Sequence, residues 1–419
     1  LSVKLKEEEL DNIFYDMEMP LVSILSKMQK QGLRINTETL KSLNKKIDNK
    51  SDKLKIKIFD IAGKEFNLNS PKQLAVILFD RLAIAPLKKT KTGYSTNEEV
   101  LDKLSPKYPI AGLILEYRHL NKLKTTYILP LIEGVKSSKG MLHAQFNQTG
   151  TQTGRLSSSS PNLQSIPAKG EFAQGLREAF IPSKDSGCIL SGDYSQIELR
   201  ILAHLSNDDN LIEAFQQDLD IHSFTAELLF GSKSDKPIKT QRNIAKRVNF
   251  GIVYGISSFG LSKELKISPA EAQNFIDDYF ARYPRVKSYI SKIHRQAEKK
   301  GFVATILGRR RKLPDINSSN MQLKEFAKRQ ATNAPIQGSC ADLIKIATVN
   351  IDKELEKKQL KTRLIMQIHD ELVFDVASNE LDKVKIIVKK YMEGAMRLAV
   401  PIKVNLKSGN NWGQMEELL

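Results

Sequence analysis

The chain has 419 residues, enough for two or three domains each with its own core, and 41% apolar residues with a mean hydropathy of -0.34 describe an ordinary water-compatible fold. No apolar run approaches the roughly 20 residues that span a bilayer, and Cys188 and Cys340 lack CxxC or Cys/His neighbourhoods, which argues against a membrane protein, a zinc module and a disulfide framework. A net charge of +17 favours a polyanionic partner such as nucleic acid, although a lysine-rich codon bias produces the same surplus.

The N-terminus lacks the hydrophobic stretch of a secretory signal, so the expected compartment is intracellular. Leu21, Ile24, Leu25 and Met28 recur at helical spacing before a stop at Gly32. A longer, lysine-studded helix is expected from Leu40 through Ile47, Leu54 and Ile58 to Gly63. Ser70-Pro71 reads as a capped start with proline in the first turn, Thr96-Asn97-Glu98-Glu99 repeats the capping-box pattern, and a third long helix is expected from Ile110 towards Leu129. Residues 20–135 therefore form an all-helical unit with basic outer faces, either a plain helical domain or a clamp on a phosphate backbone.

Residues 141–167 change character. Gly150, Gly154, four serines from Ser157, Pro161 and Pro167 predict extended loop or short strands. Arg155 and Asn162 within them are side chains of the types that bond base edges and phosphates. Cys188 to Gly192 reads as a short buried strand that ends at Asp193.

Residues 206–336 read mostly as helix. Ser268-Pro269-Ala270-Glu271 starts one helix, Pro284 breaks or restarts it, and Gly301 ends it. Phe302 to Leu307 resembles a short strand, and the basic run Arg309 to Lys312 is either a solvated loop or a phosphate contact. Cys340 falls at an expected helix start. Two strands within Arg363 to Val376, a helix over 380–398 and a strand near 402–406 complete the pattern.

Two stretches carry chemistry. Leu364 to Ile368 and Leu372 to Val376 are apolar runs meeting at a polar knot, which predicts a hairpin with Asp370 and Glu371 at its tip. Such a tip is an ordinary polar turn, or it holds a cation. If it lies beside Asp193, two carboxylates can share two Mg²⁺ ions and leave coordination positions open for phosphate. Between these acids, Arg242, Lys246, Phe250 and Tyr254 recur every fourth residue, drifting about 40° per step around a helix and so sharing one face. Either the two aromatics are simply core, or the face grips a triphosphate at one end and stacks on a base or sugar at the other.

Taken together, Asp193-Tyr194-Ser195-Gln196-Ile197-Glu198-Leu199-Arg200, the Arg242-x-x-x-Lys246-x-x-x-Phe250-x-x-x-Tyr254-Gly255 helix and His369-Asp370-Glu371 resemble motifs of the family A DNA polymerases. Thr153 to Ser158 upstream and Gln337-Gly338 between them fit the same order. The resemblance implies a mixed α and β, right-hand architecture with an antiparallel palm sheet and mostly helical fingers and thumb. Residues 1–19 would be an N-terminal remnant, 20–135 the thumb, 136–205 and 337–419 the two parts of the palm, and 206–336 the fingers.

It further implies a DNA-directed DNA polymerase taking primer-template DNA and deoxynucleoside triphosphates, monomeric, in the cytoplasm of a bacterium or in an organelle matrix. Asp193 and Asp370, with the Tyr194 carbonyl, would bind two Mg²⁺ ions, for which Mn²⁺ can substitute, and Glu371 would assist. Arg242, Lys246 and His222 would hold the triphosphate, with Lys246 also serving the leaving group. Phe250 would pack on the nucleotide, with Gln196 beside it, Tyr254 would stand on the template side, and Glu198 would close off the 2′ position. Arg155, Asn162, Asn333 and Gln337 would contact DNA, with Arg329 and His369 near a strand end. The family's editing nuclease would precede the thumb, where this sequence has almost nothing, so polymerisation without editing is expected.

Overall fold

A computed structural model describes residues 2–418, apart from 91–92, 137, 139, 169, 185 and 232–236. At its centre is a five-stranded antiparallel sheet of β1 (Gly187–Tyr194), β2 (Arg363–Ile368), β3 (Glu371–Ala377), β4 (Val404–Gly409) and β5 (Glu416–Glu417), in the order β2-β3-β1-β4-β5. β2 and β3 form the expected hairpin. Its two-residue turn places His369 at φ +49°, in the left-handed region that tight hairpins require.

The apolar runs of β1 and β3 are buried on both faces, and their side chains alternate between two cores. Ile189 and Val373 face the core built with the N-terminal helices, whereas Leu190, Leu372 and Phe374 face the second core. Gly192 interrupts the β1 run because a Cβ there would lie 2.7 Å from Met392 Sδ and 3.2 Å from Val388 Cγ1. Its absence lets the helix Leu381–Glu393 press directly on the sheet.

In the N-terminal unit, α1 (Thr37–Ala62) starts at Asn36, whose side chain accepts from the backbone of Glu38 and Thr39, and it buries Leu40, Leu43, Ile47, Leu54 and Ile58. It packs on α2 (Pro109–Lys122), whose helical path continues through 128 into Leu129–Gly134. The cap expected around Thr96 is made by Asn97, which accepts from Val100 N at 3.0 Å. Further along, the Ser268–Glu271 capping box and the restart at Pro284 form where sequence places them.

Three expectations change. Cys340 is not at a helix start but deep inside a 37-residue helix, Met321–Lys357, which runs through Pro335 and across the expected 336/337 domain boundary. The unit at 20–135 is not all-helical: Leu33–Ile35 is a strand paired with Met141–Leu142 and Phe180–Ile181, while the serine run takes its expected short-strand form, Ser157–Ser159 pairing with Gln145–Asn147. The basic run is also a strand, Arg310–Lys312 pairing with Phe302–Ala304.

That hairpin is tied down by charge. Arg309 donates to Asp342 at 2.7 Å and to Glu18, Lys345 donates to Glu18 at 2.7 Å, and Gln148 donates to the other Glu18 oxygen at 2.7 Å. Asp342 and Lys345 are 0% and 1% exposed. Burial works to raise the Glu18 carboxyl, but Lys345 and Arg309 overcome it and hold it below the usual range. Residues Ile13–Glu18 are therefore locked onto the long helix.

Candidate active site

Asp193 and Asp370 meet because β1 and β3 are neighbours. Asp193 stands opposite Glu371 in the register, and Tyr194 N–H donates to the Asp370 carbonyl at 3.2 Å, pinning the hairpin turn to the end of β1. Both aspartates line one cavity of about 440 Å³. Asp193 is exposed toward that cavity, yet its walls desolvate the carboxyl enough, ahead of the like charges of Glu371 and Asp370, to push its pKa up to about 7. Water in the open cavity screens part of this effect.

The donor chemistry fits a hard divalent cation. Two crowded carboxylates, with Lys407 and Lys246 only partly offsetting the charge of Asp193 and no ion pair to it among the described residues, favour an added positive charge. Among the described residues, no group of three or more His, Cys, Asp or Glu forms a closed cage. A cation held here would draw its remaining ligands from backbone, water or phosphate.

Two neighbours bear on Asp370. Cys340 Sγ donates to Oδ1 at 3.3 Å, and Arg155 Nη2 lies 3.6 Å from the same oxygen while donating to Glu198 Oε1 at 2.6 Å. Burial opposes the Arg155 charge, and Asp370 and Glu198 outweigh it. Burial also pushes Glu198 up despite this partner; at 2.6 Å the contact is that of an ion pair. Sequence spacing offered no reason to pair these two residues, which are 43 positions apart.

The other wall comes from α3 (Ile238–Val253) and the helix Ile221–Phe230. Lys246, Phe250 and Tyr254 line the cavity, with the two rings stacked at 6.1 Å between centroids. Arg242 is not among the lining residues; it donates to Asp220 at 2.5 Å, the carboxylate that also caps the helix of His222. Buried His222 receives Asn249 Nδ2 on Nδ1 at 3.0 Å, and Asn249 turns its oxygen to Thr225. The ring proton therefore sits on Nε2, which has no partner among the described residues. Burial pushes this imidazole down to about 4, so it is neutral at physiological pH.

Gln196 and His369 also line the cavity, Gln196 at a left-handed φ of +52° with a buried side-chain oxygen that lacks a partner among the described residues. Gln337 reaches the cavity from the long helix, and half-buried Asn333 lies one turn earlier. Arg329 and Asn162 are not among the lining residues. Arg329 packs beside Gly255 and over Phe326, and Asn162 accepts from Gln164 N at 3.1 Å. Missed by sequence was Trp412, whose indole donates to Glu371 Oε1 at 2.9 Å; being the only tryptophan, it stood out in composition, but nothing in its neighbourhood pointed to Glu371.

Comparison with known proteins gives a consistent result. The family model "DNA polymerase family A" matches residues 37–414. DNA polymerase I of Lactococcus lactis is 48% identical over 413 residues, covering 98% of this chain and 47% of its own length, and that of Geobacillus stearothermophilus is 46% identical over 412 residues with the same coverage. The chain thus spans about half the length of the curated relatives it matches. Among solved structures, the POL domain of Pol1 from M. smegmatis, in complex with DNA primer-template and dNTP, superposes with a TM-score of 0.92 at 39% identity, over 98% of this chain and 72% of that one. The right-hand architecture expected from the motifs is the architecture of this chain.

Proposed function

Since the chain belongs to DNA polymerase family A, we propose that it is a DNA-directed DNA polymerase, adding deoxynucleoside triphosphates to a primer 3′ end on a DNA template with release of pyrophosphate. The observation that carries this reading is the single cavity in which Asp193 and Asp370 face Lys246, Phe250 and Tyr254. Residues 20–135 serve as thumb, 136–205 and 337–419 as palm, and 206–336 as fingers, with the long helix Met321–Lys357 joining the last two. The compartment this implies is the bacterial cytoplasm, and the working unit a monomer.

Asp193, Asp370 and the Tyr194 carbonyl would hold two Mg²⁺ or Mn²⁺ ions, which when bound acidify the primer hydroxyl and neutralise the triphosphate and leaving group. The chain's own residues do the rest. Lys246 receives charge developing on pyrophosphate, and the His222 Nε2–H supplies a neutral donor to a phosphate oxygen. Arg242 joins them by exchanging Asp220 for phosphate as the fingers close. Phe250 packs on the incoming nucleotide beside Gln196, and Tyr254 stands on the template side.

Glu198 occupies the edge where a ribose 2′-hydroxyl would lie, its direction set by Arg155. Arg155, Asn333 and Gln337 meet the terminal base pair from the minor groove, where acceptors depend least on sequence. Asn162, Arg329 and His369 contact the strands nearby.

Primer extension with each nucleotide class, with and without Mg²⁺, tests the reading. Deoxynucleotides should be strongly preferred and extension should require the metal. Asp370→Ala should lose extension while still binding primer-template; unchanged extension by that variant, or equal use of ribonucleotides, would remove the assignment.

A further inference from the structure

Glu371 follows Asp370 and stands across from Asp193, yet its carboxylate is already held. Ser191 Oγ donates to Oε1 at 2.5 Å and Trp412 Nε1 donates to the same oxygen at 2.9 Å. Oε2 accepts no hydrogen bond from the described residues. Two donors converging on one oxygen remove the carboxylate's freedom to rotate, which fixes where the second oxygen stands.

Both donors are themselves immobilised. Ser191 is 3% exposed within β1, and Trp412 is 1% exposed. The indole meets Phe180 edge-on at 5.5 Å and lies under the Arg177 guanidinium at 3.9 Å, while its backbone N–H donates to the Phe180 carbonyl at 3.0 Å. The next residue must be small: a Cβ on Gly413 would lie 2.6 Å from Glu178 N and 2.7 Å from the Gln174 carbonyl, so glycine lets this segment close on the helix Ala173–Glu178. This packing fixes the indole in place. It lets a residue near the end of the chain aim a carboxylate in the centre of the sheet.

We propose that Trp412 and Ser191 are positioning residues for the polymerase reaction, locking Glu371 by one oxygen so that the other is offered from a fixed place beside Asp193 to the cations or to the water they carry. This rests on the two-cation reading above and assigns Glu371 its part in it.

Trp412 is the only tryptophan, so its indole N–H resonance in the metal-free protein reports on the bond without overlap. That proton should resonate downfield and exchange slowly, and Glu371→Ala should move it upfield; an unchanged resonance refutes the lock. Trp412→Phe keeps a ring against Phe180 and Arg177 and removes only the donor. It should lower kcat about tenfold, leave the KM for dNTP near its original value and raise the half-saturating Mg²⁺ concentration. In a Glu371→Ala background the same change should cost nothing further, whereas equal losses in both backgrounds would show mere packing and overturn the proposal.

Ser191→Ala, which touches the same oxygen from the sheet side, should reproduce the Mg²⁺ shift and keeps the question open to test if the phenylalanine variant does not fold. Asp370→Ala separates the two levels of argument. If it extends normally, the two-cation reading fails and the lock with it. If it is inactive while Trp412→Phe and Ser191→Ala match the parent at every Mg²⁺ concentration, the positioning role alone is wrong.

Discussion

Where the N-terminal segment meets the long helix, Glu18 and Asp342 face Arg309 and Lys345, whereas at the tip of the sheet Asp193, Asp370 and Glu371 crowd one another. In the first cluster two acids meet two bases, every contact is made within the chain, and the Glu18 carboxyl is held below its usual range. In the second the Asp193 carboxyl is driven up, and Arg155, the nearest cation to Asp370, is shared with Glu198. Buried charge that serves the fold is neutralised locally; charge left unbalanced around a cavity marks the place of a ligand.

The largest effect should come from removing the unbalanced acids. On the proposed two-cation reading, Asp193→Asn and Asp370→Asn are each expected to reduce extension on the order of a thousandfold, since several kcal/mol of transition-state stabilisation would depend on the cations they hold. Asp193→Asn should not lower the unfolding midpoint of the metal-free protein, because it relieves repulsion, whereas Asp370→Asn also gives up the Arg155 contact at 3.6 Å. A marked loss of stability in Asp193→Asn would show that the carboxylate is compensated after all.

Glu18→Ala should do the reverse. It leaves Lys345 buried without its carboxylate, while half-buried Arg309 keeps Asp342, a change worth about 3–5 kcal/mol in comparable buried pairs, read by urea unfolding. Extension per folded molecule should stay close to that of the parent. A variant of parental stability would reduce the cluster to decoration.

A smaller effect follows from pH. The folded-state pKa of Glu18 lies below its unfolded value, so the stability it contributes is complete above the unfolded pKa and is lost as pH falls through the folded one. Stability of the parent and of Glu18→Gln should therefore differ most near neutrality, begin to converge as pH falls past about 4.5, close to the unfolded value for a glutamate, and meet only below the folded value. Curves that stay parallel into acid would mean that its partners do not hold the ionised form.

The contrast also explains what could be read from sequence. Helix starts at Ser70 and Ser268 were legible because a cap is decided within three or four residues. The β2–β3 hairpin was legible because two apolar runs flank a two-residue turn. The helix carrying Lys246, Phe250 and Tyr254 was legible from a four-residue period. The Glu18 cluster was not, since Glu18, Arg309, Gln148 and the Asp342–Lys345 turn of the long helix come from separate segments that only tertiary packing unites. Arg242 shows a related limit: the absence of acids along its own helix left it apparently unpaired, but Asp220 on another helix receives it. Trp412 was illegible for the same reason, as its partner Glu371 is fixed by strand order and not by spacing.

The smallest expected effect concerns the basic run. As a phosphate ligand, Arg310 would project freely from a loop; instead it lies in a strand, paired with Glu8 and donating to the Glu8 carbonyl at 3.0 Å, while Arg311 donates to Gln152 at 2.8 Å. The Glu8 pair is partly exposed and solvent-screened, so Arg310→Ala should change stability by less than about 1 kcal/mol. Primer-template affinity measured across a salt series discriminates further, because removing one arginine–phosphate pair reduces the slope of log K against log salt by about one. An unchanged slope is the result for an arginine occupied by Glu8. A slope lower by one would mean that Arg310 exchanges Glu8 for phosphate when DNA binds, and would place it with the charges that await a ligand.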